Sequence, residues 1–335
     1  MARRPTIIDV AKVAGVSKAT VARVVSGYDG LVREETRERV WKAVDELGYE
    51  RNAVAGSLRT DQTFMVALCI PDITNPFWPE VARGVQDTIE PSGYTTVTVN
   101  SDWDAERETK YLRMVQRNRF DGLIINPTSV DSETLHRLGV PVVVLGSGDN
   151  YPEFDSVGSD TEEATQQALA HLLALGHRRI ALIAGRSRRR REFARTTSYR
   201  RFHAQHALPL DESLVIECEF SDQDGYAAMY RLLDMPQPPT AVFAANDILA
   251  IGALKAAQAM QRHVPDDVSI IGMDDIYAAV MTSPALTTIT KPKYDIGATA
   301  AQLLLARMNG GTAAPSHLKL PCQFMTRAST AMIRA

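Results

Sequence analysis

Two sets of residues in this chain have types and spacings suited to chemistry. Near the start, Ser17, Lys18, Ala19, Thr20 and Arg23 fall on one side of a short helical period. Small and short polar side chains at a helix N-terminus permit close approach to base edges in a DNA major groove, while the helix amides and an arginine meet phosphate or guanine. The second set follows β-rich runs: Asp72, Asn75, Phe77 and Trp78 after the first, Asp160 after another, then Asn246-Asp247 and Asp274-Asp275. Carboxylates and amides that accept from hydroxyls, beside an aromatic face for C–H groups, are suited to holding a polyol ring. The plainer reading is that such Asp and Asn residues cap the helices that follow them. For Asp247 and Asp275 the plainer reading is preferred.

The elements that must present the first set are legible from periodicity. Thr6-Ile7-Ile8-Asp9 puts an acid three residues after a Thr, close to a capping box with Asp for the usual Glu, and predicts a helix from about residue 7. Val10, Ala11 and Ala14 supply its inner face. Gly15-Val16 breaks the period, with Gly able to take a left-handed turn and Val16 able to plug the core. Ser17 caps a second helix from Lys18 to about Val25, with Val21, Val24 and Val25 inward. A third runs from about Glu34 to Leu47 with Val40, Val44 and Leu47 in register. Helix, tight turn, helix is the form of a helix-turn-helix, although a plain three-helix packing module fits the same spacing. The first 60 residues carry 11 Lys and Arg against 8 Asp and Glu, and the remainder 26 against 32, so a small basic head precedes an acidic body. Such asymmetry suits nucleic acid, and a solvated surface equally well.

Composition narrows the classes. At 335 residues the chain has room for two or three domains. Its 45% hydrophobic and 23% charged content is that of an ordinary globular protein. No stretch approaches the ~18 consecutive apolar residues of a membrane-spanning helix. Met1-Ala2-Arg3-Arg4-Pro5 leads into no secretory apolar region, and the cytoplasm is the expected location. Cys69, Cys218 and Cys322 are odd in number and far apart, so neither a disulfide framework nor a metal cluster is expected.

From residue 64, β-rich runs at 64–71, 94–101, 121–127, 140–147, 179–185, 213–218, 240–246 and 268–274 alternate with helical patterns near 79–90, 104–118, 161–175 and 247–261. Short Val/Ile/Leu runs separated by helices predict parallel strands covered on both faces. Eight of them exceed one compact sheet of ordinary width. The prediction is therefore an α/β body of two doubly wound lobes behind a small all-α head, with ligand where strand ends face the cleft. The sequence carries no nucleotide-binding Gly loop, nucleophile elbow or metal-binding His spacing, so no enzyme, cofactor or metal is expected.

The run TIIDVAKVAGVSKATVARVVSG, residues 6–27, resembles the DNA-binding head of LacI/GalR-family transcription regulators: its Asp-Val-Ala, Ala-Gly-Val-Ser turn and Thr-Val-x-Arg-Val helix come in that family's order. NPFW (75–78), LGHRRIAL (175–182), FAANDILAIGAL (243–254), GMDD (272–275) and LTTI (286–289) resemble the family's effector domain, which is similar to periplasmic sugar-binding proteins. The resemblance spans nearly the whole chain. It implies a helix-turn-helix DNA-binding domain over 1–48, a hinge over 49–61, and a two-lobed, periplasmic-binding-protein-like effector-binding and dimerisation domain over 62–335 with three crossover strands. By matched position Lys18 and Ala19 would read bases, with Arg23 the third, and Thr6, Ser17 and Thr20 would contact the DNA backbone. Ala22 stands where the family usually has Ser, which removes one phosphate contact. Asp160, Arg195, Asn246 and Asp274 would hydrogen-bond the effector, joining Asn75 of the strand-end set. Phe77 and Phe220 would wall it, Trp78 is wall or core, and Lys291 and Lys293 fall at effector-proximal positions. Arg186 and Arg188 to Arg191 crowd the loop before Arg195, which suits an anionic effector or a merely solvated basic loop.

By the same resemblance the protein is a homodimer that sets two heads in successive major grooves of a double-stranded palindromic operator. It would act as a repressor whose operator affinity changes when a small effector (sugar, sugar phosphate or sugar acid) closes the cleft. A solute-binding protein would need only the body, and an architectural DNA protein only the head. In the hinge, Asn52 caps one or two turns, too short a helix to stand alone, and Gly56 costs about 1 kcal/mol more than Ala. The family usually has Pro where Arg51 stands and a polar or basic residue where Gly56 stands, and both departures loosen the segment. Leu58 matches the family's leucine that is pushed into a minor-groove step. Leu58→Ala is expected to weaken operator binding far more than random-DNA binding in parallel isotherms; equal losses on the two would remove the wedge.

Overall fold

The computed structural model describes residues 5–26, 30, 32–50, 62–185 and 194–333. The chain divides into two compact units, Met1–Thr63 and Phe64–Ala335. The hinge residues Asn52 and Leu58 and the arginines 186 and 188–191 lie outside the described residues.

In the first unit α1 (Ile7–Ala14), α2 (Lys18–Val25) and α3 (Glu34–Leu47) follow the periodicity. Asp9 closes the first turn, its Oδ2 accepting from the Thr6 backbone N–H at 2.8 Å and the Thr6 hydroxyl at 2.6 Å. Gly15 takes the left-handed conformation (φ 64°, ψ 37°), and the Val16 N–H turns back to the Ala11 carbonyl at 3.1 Å. That abrupt end lets α2 start at once, with Ser17 Oγ accepting from the Thr20 N–H at 3.1 Å. Val10, Ala14, Val21, Val24, Val40 and Val44 are buried together, and Val16, Val25 and Leu47 pack half-buried against them.

The second unit is two lobes. Lobe one contains β1 (Met65–Ile70), α4 (Phe77–Ile89), β2 (Thr95–Asn100), α5 (Ala105–Arg117), β3 (Gly122–Ile125), α6 (Ser132–His136), β4 (Val142–Leu145) and β5 (Asp155–Ser159). Lobe two contains α7 (Thr161–Ala174), β6 (Ile180–Gly185), α8 (Ala194–Gln205), β7 (Val215–Cys218), α9 (Asp222–Leu233), β8 (Ala241–Ala244), α10 (Asp247–Ala259), β9 (Ser269–Ile271) and β10 (Thr288–Thr290). The chain then returns to lobe one for α11 (Lys293–Met308) and β11 (His317–Leu320), and crosses back for β12 (Gln323–Met325). Lobe one is a parallel sheet in the order β11-β5-β4-β3-β1-β2, and lobe two a parallel sheet in the order β7-β6-β8-β9. The crossings fall at Asp160, at Lys291-Pro292 and at Pro321-Cys322.

Parallel pairing explains the continuous apolar runs: helices cover both faces, so β3 and β4 are buried at every position. Four strands lie outside those runs. β5 reads Asp-Ser-Val-Gly-Ser, with Gly158 small because the Gly146 carbonyl would stand 2.9 Å from a Cβ there. β11 is an edge strand with three exposed residues, and β10 and β12 form an antiparallel pair.

In each lobe two helices meet at glycines. A Cβ on Gly84 (α4) would stand 2.1 Å from the Tyr294 carbonyl, and one on Gly297 (α11) 2.0 Å from the Val81 carbonyl. In lobe two the same holds between α9 and α10, where Gly252 would meet the Asp222 carbonyl at 2.1 Å and Gly225 the Leu249 carbonyl at 2.4 Å. These atoms are backbone and cannot swing aside. Gly297→Ala is therefore expected to destabilise the full chain by about 1–3 kcal/mol, read as a lowered denaturation midpoint; an unchanged midpoint would mean that α4 and α11 separate at little cost.

Candidate functional site

The C-terminal ends of both parallel sheets open on one cavity of about 410 Å³, within the ~300–1,000 Å³ range of small-molecule sites. Asn75, Phe77, Trp78, Asp160, Arg195, Phe220, Asn246, Asp274 and Lys291 all line it. Lobe one contributes the β1–α4 loop, where Asn75 Oδ1 accepts from the Phe77 N–H at 3.0 Å and Phe77 meets Trp78 edge-to-face. Trp78 is both wall and core, since it lines the cavity and is buried among Val81, Val85 and the strands behind them. Asp160 and Asn246 each face the cavity and also cap a helix: their Oδ1 atoms accept from the Glu163 N–H at 3.1 Å and the Leu249 N–H at 2.9 Å. Phe220 leans over the end of β6, where a Cβ on Gly185 would strike its ring.

The charged groups are interlocked. Lys291, at the second crossing, pairs with Asp274 at 2.9 Å, both side chains only 6% exposed, and its Nζ lies 5.3 Å from the Phe77 centroid. Burial and the nearby Arg195 pull the Lys291 ammonium below its ordinary range, and Asp274 opposes them. Arg195 donates its Nε to Met273 Sδ at 3.2 Å; burial lowers its pKa too, against the pull of Asp274. The described lining includes five carboxylates (Asp149, Asp160, Glu162, Glu219 and Asp274) against three cations (Arg195, Lys291 and Lys319).

Lys293, expected beside the effector, is buried outside the lining, its Nζ donating to the Asp274 and Asp275 carbonyls at 2.9 Å each. The helix-cap readings of Asp247 and Asp275 are also overturned. Asn246 caps α10; Asp247 is fully buried and accepts instead from the Ile276 N–H at 2.9 Å and from the Thr288 hydroxyl. Asp275 pairs with Arg327 at 2.6 Å and accepts from Thr290 at 2.7 Å.

Two further residues shape the cavity. Trp103, from the β2–α5 loop, stacks on Phe220 across the lobes with centroids 5.7 Å apart. Glu108, buried in α5, accepts from the N–H groups of Thr128, Ser129 and Val130 and so fixes the loop that brings Asn126 to Thr128 into the lining. An aromatic beside strand-end polar residues was a usable signal for Trp103; Glu108 gave none, because its partners lie twenty residues on.

In the head, Ser17, Lys18, Ala19 and Arg23 are exposed along one side of α2, and Thr20 is half-exposed. Ser17 and Thr20 hydroxyls are 2.8 Å apart. Thr6 is half-buried, its hydroxyl engaged by Asp9. Small residues and two cations that pair with no acid among the described residues, on one helix face, give a surface suited to a groove. No helix among the described residues is long and apolar enough to cross a membrane.

A helix-turn-helix head with a two-lobed body around a strand-end cavity defines a DNA-binding regulator that takes a small ligand. Residues 6–52 match the bacterial regulatory proteins of the lacI family, and residues 169–330 the periplasmic binding protein-like domain. Catabolite control protein A of Priestia megaterium is 36% identical over 97% of this chain and 99% of its own length. A structure of the transcriptional regulator CelR with cellobiose matches at 32% identity and a TM-score of 0.72, over 97% of this chain and all of that one. The lac repressor dimer bound to operator and the anti-inducer ONPF matches at 27% identity and a TM-score of 0.86, over 98% of this chain and all of that one. The chain belongs to the lacI family and is a DNA-binding transcriptional regulator.

Asp247 generates a pH dependence. Burial, then Asp274, push its carboxyl from 3.8 to about 7, against the hydrogen bonds from Thr288 and Ile276. Unfolded, the group ionises near its ordinary value; folded, it keeps its proton to about 7. The native state thus binds the extra proton in that window, and stability falls as pH rises through it. Asp247→Asn, which keeps an acceptor and cannot ionise, is expected to flatten the decline in melting temperature between pH 5 and pH 8; parallel pH profiles for variant and parent would contradict this.

Proposed function

We propose that this regulator is a cytoplasmic repressor, a homodimer on a palindromic operator, and that an uncharged, hydroxyl-rich sugar in the cavity controls its operator affinity. One observation carries the reading: donors, acceptors and aromatic walls from both lobes converge on a single cavity at the strand ends. Asp160, Asn246 and Asp274 supply acceptors for hydroxyls, Arg195 a fork of donors, and Phe77 and Phe220 faces for C–H groups. Lys291 is already neutralised by Asp274, and Asp160 adds a second carboxylate, which supports a neutral sugar. The cellobiose bound by CelR supports the ligand class, and the operator-bound lac repressor dimer supports the assembly.

On DNA, Lys18, Ala19 and Arg23 read base edges, while Ser17, Thr20 and Thr6 meet the backbone, two heads sitting one helical turn apart. Pairing raises affinity because the second head binds at high effective concentration. A sugar bound to both lobes favours one lobe arrangement, and differential affinity of the two arrangements for DNA makes the coupling. The segment 49–61, with Asn52 and Leu58, joins head to body and is the route by which the lobe arrangement would reach the DNA. The output is occupancy of DNA and not turnover.

Operator isotherms on the full chain, with and without neutral sugars, their phosphates and sugar acids, test this. At least one neutral sugar is expected to shift operator affinity ten-fold or more, and Asp160→Asn, which keeps the helix-capping oxygen but loses the carboxylate, to reduce that shift while leaving sugar-free DNA binding within about two-fold. A response to sugar phosphates or sugar acids only would replace the neutral ligand with an anionic one. No response to any would remove the effector reading.

A further inference from the structure

We infer that Lys293 is a positioning residue for Asp274, holding the turn that carries this cavity carboxylate from the opposite lobe. The inference rests on the effector reading of the cavity.

Asp274 and Asp275 lie at φ 115° and 53°, in the region that favours glycine. Two successive aspartates hold such a conformation only where the surroundings over-determine it. Lobe two supplies part of the hold: Arg327 and Thr290 engage the Asp275 carboxylate, and Asp247 accepts from the Ile276 N–H. The Asp274 N–H also donates to the Ile289 carbonyl of lobe two at 2.8 Å, and a further hold comes from lobe one. Lys293 is the first residue of α11, which is wedged against α4 at the glycine contacts. Its ammonium is buried and donates to the carbonyl oxygens of both Asp274 and Asp275 at 2.9 Å, with Glu80 of α4 at 3.5 Å.

A buried ammonium demands acceptors, and these two carbonyls are its close ones, with the Glu80 carboxylate farther off. The two carbonyls must stay turned toward Lys293, which fixes the peptide planes on either side of Asp275, the first of them joined directly to the Asp274 Cα. Lys291 grips the Asp274 side chain at 2.9 Å, and Lys293, across Pro292, grips the backbone beneath it. Lys293 does not line the cavity, so its effect on a ligand passes through Asp274. Any displacement of α11 relative to lobe two is thereby transmitted to the carboxylate.

The test is a double-mutant cycle on the full chain, with calorimetric titration of glucose, galactose, ribose, lactose and cellobiose. For the tightest-binding of these, Lys293→Met is expected to weaken affinity about ten-fold or more. Lys293→Arg, whose fork reaches both carbonyls, should recover most of the loss. In an Asp274→Asn background Lys293→Met should cost less than about three-fold, because the carboxylate it positions is gone. Melting curves of each variant establish that it is folded. Equal losses in both backgrounds, or no rescue by Arg, would overturn the inference and leave the effector reading intact. Failure of all five sugars to bind the parent chain would overturn the inference together with the neutral-sugar reading on which it rests.

Discussion

A buried ion pair needs both partners. With Lys291 and Asp274 almost wholly withdrawn from water, removing either strands the other in a medium that cannot solvate it. The pair joins the strand leaving lobe two to the turn that ends β9, and Lys293 joins the same turn to the helix that opens the return to lobe one. Around it, Arg195 approaches from α8, and Asp247 and Arg327 fix the flanks of the turn. The charge network is therefore a fastening for the second crossing and also one end of the cavity. Asp274 can serve a ligand because its position is set by groups that have no other place to go.

Local chemistry was what the sequence made legible. Helices α1 to α3 could be placed because caps and apolar spacing act within a few residues: Thr6 with Asp9, the left-handed Gly15, Ser17 with Thr20. Parallel strands showed as Val/Ile/Leu runs because both faces are covered. β5 escaped because Asp155, Ser156 and the closely approached Gly158 interrupt any apolar run. The antiparallel β10–β12 pair escaped because it joins segments more than thirty residues apart.

Asn75, Asp160, Asn246 and Asp274 emerged as polar groups after strands, which is a consequence of doubly wound topology, whereas Arg195, Phe220 and Lys291 came only by matched position in the resembling family. Roles set by distant partners did not emerge. Asp247 follows a strand and begins a helix, so it reads as a cap, yet Asn246 takes that task and Asp247 serves Ile276 and Thr288. Lys293 looked like an effector contact by position, but its carbonyl partners hold it out of the lining. Trp103 finds Phe220 more than a hundred residues away. Periodicity carries no information about such pairs.

The central proposal is that a sugar held by both lobes changes the state of the segment linking body to head. Amide hydrogen exchange of the full chain on operator DNA, with and without a sugar that raises its melting temperature, tests it most directly. Slowed exchange in strand-end loops of both lobes (72–78 and 272–276), together with altered exchange over 49–61, is the predicted result. Protection confined to one lobe, with 49–61 unchanged, would contradict it.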